Sequence, residues 1–292
     1  MPTFTAIGLG EILWDILPDN RKLGGAPANF AYHVNGLGGT GIPVSRIGDD
    51  DLGRETLEEL SRHGVSTEFI TIDPDHPTGT VDAEIDSSGG ATYVFPDDVA
   101  WDHLACNDQT QQLATSADAV CFGTLAQRSP VSRRAIHCFL KAAPQALKIY
   151  DINLRQNFYD QDRIHASLEM ADVLKINDDE LAIITDMFGL PNEDSAALRE
   201  LSVRYGLRLA VLTRGADGSL ILSPDAESDI PGAPVDIIDT IGAGDSFTAA
   251  MTLAHLHGMP LDDMHRYAAQ VAAFVCGQAG AMPVLPAHLR IR

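Results

Sequence analysis

Asp239-Thr240-Ile241-Gly242-Ala243-Gly244-Asp245 is the stretch whose reading decides the fold. It follows Val235-Asp236-Ile237-Ile238, which reads as the end of a strand. It precedes Ser246-Phe247-Thr248-Ala249-Ala250-Met251, where Phe247, Met251 and Ala254 recur at i, i+4 and i+7, a helical period. A glycine-containing turn therefore opens directly into a helix. The first N–H groups of a helix lack carbonyl partners and sit at the positive end of its dipole, so they suit an anion. Glycine lets a phosphate reach the backbone with no Cβ in the way. A carboxylate inside such a turn, Asp245, has little reason to stand beside a phosphate unless it acts on something there. The combination suggests phosphoryl transfer to a hydroxyl.

Working outward, short apolar runs alternate with helical patterns over most of the 292 residues. Strands are expected at Thr5–Gly10, Pro43–Ile47, Ala119–Phe122, Lys148–Ile152, Val173–Ile176, Leu209–Thr213 and Ser219–Leu222. Helices are expected at Ala28–Leu37, Gly53–His63, Ser132–Ala142, Ile164–Met170 and Ser195–Tyr205. This alternation implies an α/β fold, a mostly parallel sheet with helices on both faces. One region departs from it. Thr80-Val81-Asp82-Ala83-Glu84-Ile85-Asp86 alternates apolar with polar or acidic residues, which marks a strand with one wet face. Ser87-Ser88-Gly89-Gly90 then turns into Ala91-Thr92-Tyr93-Val94-Phe95, a hairpin. With Ile12–Leu17 it makes a small separate sheet, a lid over the core. The expected division is a core of residues 1–11, 26–66 and 100–292 and lid segments 12–25 and 67–99.

Composition narrows the functional classes. A formal charge of −21 and a pI near 4.6 argue against nucleic acid and anionic membranes, which need a basic surface. No apolar run approaches the ~18 residues of a membrane span. Glu11 and Asp15 interrupt the apolar N-terminal stretch, so no signal peptide is expected. Cys106, Cys121, Cys138 and Cys276 form no C-x-x-C pair and read as free thiols of a cytoplasmic protein. The G-x-x-x-x-G-K-[ST] phosphate loop is absent from the sequence. Gly36-Leu37-Gly38-Gly39-Thr40-Gly41 fits G-x-G-x-x-G but ends a helical pattern, so it reads as a helix cap and turn. His33, His255 and His257 read as ordinary helix residues.

A second segment, Gly24-Gly25-Ala26-Pro27-Ala28-Asn29, leads into a helix, and Asn29 offers both donor and acceptor to a ligand hydroxyl. Taken with 239–245, it resembles the two signatures of the PfkB (ribokinase-like) carbohydrate kinases, in order and spacing, over essentially the whole chain. Within that family Gly123-Thr124-Leu125-Ala126-Gln127-Arg128, Tyr150-Asp151-Ile152-Asn153-Leu154-Arg155 and Val99-Ala100-Trp101-Asp102 are most similar to bacterial fructokinases. The resemblance implies a ribokinase-like three-layer α/β/α core with a β-sheet lid.

It also implies roles. Asp245 matches the catalytic base that takes a proton from a primary sugar hydroxyl as its oxygen attacks the γ-phosphate of ATP. Backbone N–H groups of Gly242, Ala243 and Gly244 match the anion hole. Asp15, Gly25 and Asn29 match sugar-hydroxyl ligands; for Asp15 the alternative is an exposed edge-strand acid. Gln127 and Arg155 are candidates for the same wall, and Phe95 for closure over the sugar. Asn177-Asp178-Asp179-Glu180 matches an N-x-x-E element in which Asn177 and Glu180 hold Mg²⁺ through water. Thr213-Arg214-Gly215-Ala216-Asp217-Gly218 is similar to the family's nucleotide-binding turn, with Thr213, Arg214, Gly215 and Gly218 beside ATP. Asp239 and the carbonyl of Ile241, with the stretch around Gly280, match a monovalent cation (K⁺) site. Val284, in Pro283-Val284-Leu285-Pro286, stands where ribokinases often carry a serine and offers no hydroxyl.

The expected function is an ATP-dependent sugar kinase, a fructokinase forming fructose 6-phosphate. The alternatives are another acceptor (ribose, 2-keto-3-deoxygluconate or a nucleoside) or a non-catalytic sugar sensor. The wet-faced hairpin is compatible with a homodimer through the lid and equally with a lid closing on its own subunit.

Overall fold

The computed structural model describes residues 3–17, 20–85 and 91–291. The expected turn at 86–90 lies outside the described residues. The chain opens with β1 (Thr5–Leu9), β2 (Leu13–Leu17) and β3 (Asn20–Gly24) and enters α1 (Ala26–Leu37). Next come β4 (Thr40–Gly48), α2 (Asp51–Arg62), β5 (Ile70–Asp73), β6 (Gly79–Ile85) and β7 (Ala91–Val94). Alternation follows: α3 (Asp108–Ser116), β8 (Ala119–Phe122), α4 (Pro130–Ala142), β9 (Leu147–Asp151), α5 (Gln161–Leu168) and β10 (Val173–Asn177). The last third holds α6 (Asp178–Phe188), α7 (Asp194–Tyr205), β11 (Leu209–Thr213), β12 (Ser219–Leu222), β13 (Glu227–Ile230), α8 (Ala243–Leu256) and α9 (Leu261–Cys276).

Among the described residues the strands form two sheets, ordered β13-β12-β11-β10-β9-β8-β1-β4-β5 and β3-β2-β6-β7. From β5 to β11 each neighbouring pair of the larger sheet is parallel, and β12 and β13 close it antiparallel. Successive strand residues feed opposite layers. Ile7 and Phe122 pack with Ile136, Phe139, Ile164 and Leu181 of α4–α6. Their neighbours Ala6 and Cys121 pack with Phe30, Phe247, Met251 and Val271 of α1, α8 and α9. The result is the expected three-layer ribokinase-like α/β/α core with a small sheet beside it.

The expected strands are all present, with their ends moved by a few residues. β3, β5 and β13 escape the sequence reading because they are sheet edges of four or five residues, part polar, as exposed edges tend to be. β5 belongs to the larger sheet, so the lid segment drawn as 67–99 contains a core strand. Val235–Ile238 is not a strand end: Ile237 and Ile238 are 59% and 66% exposed. Pro231 and Pro234, which precede it, carry no N–H for a ladder. The four thiols are not all free either. Cys106 and Cys138, 32 residues apart, form a disulfide with a Cα–Cα distance of 6.2 Å, because the fold lays the segment before α3 against α4. Cys121 and Cys276 are free. Among the described residues no helix is long and apolar enough to cross a membrane.

Helix α1 lies unusually close to the sheet. A Cβ on Gly8 of β1 would stand 2.0 Å from the Pro27 carbonyl oxygen, and one on Gly41 of β4 would stand 2.0 Å from that of Ala31. The helix ends at Gly38, with φ 107°, so 36–41 is the cap and turn expected. Gly41→Ala should therefore force α1 away from β4 and destabilise the protein by about 1–3 kcal/mol, the usual cost of overpacking. The expected result is a lower denaturant midpoint with an unchanged m-value; an unchanged midpoint would show that the contact relaxes freely.

Candidate active site

The carboxyl ends of the parallel strands, where open α/β sheets bind ligands, meet a cavity of about 900 Å³. Glu11 beyond β1, Asp151 at the end of β9 and Lys175 and Asn177 at the end of β10 form its floor. The N-termini of α1 and α8 bring Gly25, Asn29, Gly242, Gly244 and Asp245. Leu13, Asp15 and Lys22 of the small sheet, with Val81 and Phe95, form the opposite wall.

The turn at 239–245 is built by its own backbone. Asp239 Oδ1 accepts from the Ile241 N–H at 3.0 Å, and Gly242 caps α8 with φ 79°. That conformation suits glycine, and the space does too, since a Cβ there would lie 2.6 Å from the Ala281 carbonyl oxygen. Ala281 is in turn held by buried His33, whose Nε2 lies 2.9 Å from its oxygen. His33 is thus a support for the turn, and burial lowers its pKa to about 4, so it works neutral. Ala243 and Gly244 begin the helix; the Ala243 N–H makes a long 3.3 Å bond back to the Thr240 carbonyl, and the first-turn position gives neither residue a helical carbonyl.

Asp245 meets Asn29 across 216 residues: Asn29 Nδ2 donates to Asp245 Oδ2 at 2.8 Å. Burial and the nearby Asp151 charge raise the Asp245 pKa to about 6, against the Asn29 hydrogen bond and the Lys175 and Arg155 charges. Below it, Asp151 receives Lys175 Nζ at 3.0 Å and Thr248 Oγ1 at 2.9 Å. Burial disfavours the Lys175 charge, but Asp151, Glu180 and Asp245 outweigh burial and carry its pKa above the ordinary value. A buried charge with such partners stays ionised.

On the other wall, burial raises the Asp15 pKa against Arg155 and Lys22. Glu11 is 3% exposed, and burial pushes its pKa up to about 7. Its Oε2 and the Oδ1 of Asn29 are buried without a hydrogen-bond partner among the described residues. Phe95 lines the cavity and meets Phe158 edge-on, with ring centroids 5.9 Å apart. Arg155 also lines it, with Nη1 donating to the Leu154 carbonyl. Gln127 is a correction. It is fully buried, donating to the Gly123 carbonyl and Ser167 Oγ, and does not reach the cavity.

Asn177 and Glu180 line the cavity and cap α6 reciprocally, Asn177 Oδ1 accepting from the Glu180 N–H and Glu180 Oε2 from the Asn177 N–H. Glu180 Oε1 accepts from Leu154 N–H. Each of these oxygens keeps a second lone pair, a donor set that suits Mg²⁺ held through its water shell. Thr213 ends β11, and Arg214, Gly215 and Gly218 lie in the turn after it; none of the four lines this cavity, and Arg214 is paired with Asp229 of β13. Asp239, expected at a cation site, already has a cationic neighbour. Besides the Ile241 N–H, its carboxylate accepts from the Gly280 N–H at 3.1 Å and faces the Lys22 ammonium at 3.4 Å. Ile241 lies on the rim, 43% exposed, and Val284 is 84% exposed.

Glu11, Lys22, Asp151 and Lys175 are the charged residues of this cavity to which the sequence reading assigns no role. Lys175 carries a signal, a charge within the buried apolar strand Val173-Leu174-Lys175-Ile176, and such a charge requires a partner. Glu11 and Lys22 carry none.

The comparisons agree with this geometry. A model of the family described as pfkB family carbohydrate kinase matches residues 19–288. The chain is 32% identical over 299 residues to a fructokinase from Klebsiella pneumoniae, with 95% of each chain covered. It superimposes with a TM-score of 0.79 on a crystal structure of a Pyrococcus horikoshii sugar kinase in complex with ATP, at 27% identity, covering 96% of this chain and 94% of that one. A 2-dehydro-3-deoxygluconokinase from Thermotoga maritima gives a TM-score of 0.82 at 20% identity, covering 97% of this chain and 96% of that one, a likeness of fold. With the glycine turn, its aspartate and the asparagine of the second motif around one cavity, and the family model spanning nearly the whole sequence, the chain belongs to the pfkB family of carbohydrate kinases.

Proposed function

We propose that this kinase transfers the γ-phosphate of ATP to a primary hydroxyl of a neutral sugar, fructose yielding fructose 6-phosphate. The observation that carries the acceptor class is the pair of orphaned acceptors in the cavity, Glu11 Oε2 and Asn29 Oδ1. Buried acceptors call for donors, and a polyol brings several O–H groups to one place. The Klebsiella fructokinase, at 32% identity, supports fructose among neutral sugars.

In this reading the sugar hydroxyl lies against Asp245. As the hydroxyl oxygen bonds to the γ-phosphorus and the bond to the ADP oxygen breaks, Asp245 takes the proton. A pKa of about 6 leaves it ionised at neutral pH yet basic enough to accept a proton during transfer. Asn29 holds the carboxylate by one oxygen, which leaves the other for the substrate. The N–H groups of Gly242, Ala243 and Gly244 meet the phosphoryl oxygens as charge gathers on them. Asn177 and Glu180 would hold hydrated Mg²⁺, which neutralises triphosphate charge in an acidic cavity. Lys22, bonded to Asp239, joins the small sheet to the catalytic turn.

Measuring ADP release with a panel of sugars tests the acceptor. Turnover is expected with fructose; turnover with a different sugar alone would replace fructose, and none with any sugar would overturn the kinase reading. Asp245→Asn should lower kcat by about 10²–10⁴-fold, the usual loss of a general base. Near-wild-type turnover in a normally folded variant would remove Asp245 from that role. The raised pKa means the base is lost as pH falls, so kcat/KM should decline below a limb near pH 6. Asn29→Ala, which deletes the hydrogen bond favouring the charged form, should move that limb to higher pH. A limb that stays in place would assign it to another group.

A further inference from the structure

Away from the cavity, three potential metal ligands converge where the chain passes between the two sheets. His76 lies in the segment that leads from β5 into β6. Asp98 lies in the segment that returns from β7, and His103 ends the short 3-10 turn Ala100–His103. His103 Nε2 lies 2.8 Å from Asp98 Oδ1, and His76 Nε2 lies 3.7 Å from the same oxygen. The three ligand atoms lie within 4.8 Å of one another; the two imidazoles stack with centroids 3.6 Å apart and planes 15° apart, so their in-plane lone pairs run nearly parallel and His103 must turn out of the stack for both nitrogens to face one ion. Ligands sharing a tetrahedral ion at bonds of ~2.0–2.2 Å stand roughly 3.3 Å apart, a spacing that the 2.8 and 3.7 Å separations bracket.

The orientation of His76 is set from behind. Its Nδ1 lies 3.0 Å from Asp73 Oδ2, and Asp73 is 1% exposed. That carboxylate also accepts from the backbone N–H groups of Asp75 and His76 and pairs with Arg46 at 2.8 Å. A carboxylate with these partners acts as acceptor, so His76 Nδ1 carries the proton and Nε2 presents its lone pair toward Asp98 and His103. A carboxylate behind a histidine in this way is the arrangement that fixes the tautomer of metal-binding imidazoles. Arg46 also donates to the His103 carbonyl at 2.9 Å, so one buried ion pair steadies both histidine segments.

We propose that His76, His103 and Asp98 form a binding site for a borderline divalent cation of the Zn²⁺ type, completed by water. Two imidazoles and one carboxylate select such an ion over Mg²⁺, which prefers oxygen ligands. The site is separate from Asn177 and Glu180 and from the reacting groups. Its ion cross-links the outgoing and returning connections of the small sheet, which the backbone joins through one hydrogen bond, Ala100 N–H to the Pro77 carbonyl at 2.8 Å.

The test uses the full chain stripped of metal and held in excess Mg²⁺, titrated with Co²⁺ as a spectroscopic probe. One Co²⁺ per chain is expected, with visible bands of a nitrogen- and oxygen-ligated tetrahedral ion that added Zn²⁺ removes. His76→Ala and His103→Ala should abolish the bands. Asp98→Asn supplies a variant that folds whatever the histidines do, because Asp98 is a surface side chain, 75% exposed, on a backbone at φ 57° that asparagine tolerates. It should weaken Co²⁺ binding by about tenfold or more, the loss already seen when only a ligand's supporting partner is removed. No bands with the wild-type protein, bands carrying thiolate charge transfer, or bands unchanged in Asp98→Asn would each overturn the site.

Discussion

Helix α1 can occupy its place only because two strand residues beneath it lack side chains. The Pro27 and Ala31 carbonyls, about one turn apart, rest on Gly8 and Gly41, where a Cβ would overlap them. From that position the helix sends Asn29 to Asp245, His33 to the Ala281 carbonyl and Tyr32 to the Pro283 carbonyl. Ala281 in turn backs Gly242. One close approach of backbone to sheet thus sets the height of the glycine turn 239–245, the orientation of its aspartate and the loop behind both. Interiors this dense transmit a misplacement rather than absorb it.

The second organising element is electrostatic. The chain carries a formal charge of −21, and its cavity collects Glu11, Asp15, Asp151, Glu180 and Asp245. Lys175 lies buried among three of them, and their charges keep it protonated. It draws Asp151 into a bond and leaves Asp245 to the cavity side, held by Asn29. Desolvation and the Asp151 charge then raise Asp245 toward the range in which a carboxylate both ionises at neutral pH and accepts a proton. The Asp245 carboxylate is tuned by neighbours from β9, β10 and α1, none close to it in sequence.

The small sheet is joined to the core at two levels. At the cavity, Lys22 of β3 meets Asp239 at the start of the glycine turn 239–245. At the far end, Arg46, Asp73 and the stacked His76 and His103 hold the connections by which β6 and β7 leave and rejoin the larger sheet. Gly79 at the start of β6 sits against Trp101, its virtual Cβ 2.2 Å from the indole nitrogen, so the entry to the sheet has little room to shift. A wall anchored at both levels encloses Asp15 and Phe95 over the floor of the site.

Much of this was legible in the linear chain because it depends on near neighbours. Alternating apolar runs placed the core strands. The glycine turn before a helical period placed Asp245, and the capping relation of Asn177 and Glu180 follows from their spacing. Edge strands such as β3 and β13 were not legible, since a strand paired on one side need not be apolar. Gln127 and Arg214 look from sequence like residues free to bind a ligand, but Ser167 and the Gly123 carbonyl claim the first and Asp229 the second. The disulfide of Cys106 with Cys138 and the isolation of Glu11 Oε2 are likewise facts of packing. By itself the sequence determined the order of the core elements, the glycine turn before α8 and the acid it carries, because turn chemistry and helix period act over a few residues. Only the tertiary structure decided which polar groups are already paired, what charge Lys175 keeps and how basic Asp245 is, because those depend on burial and on partners brought together from distant parts of the chain.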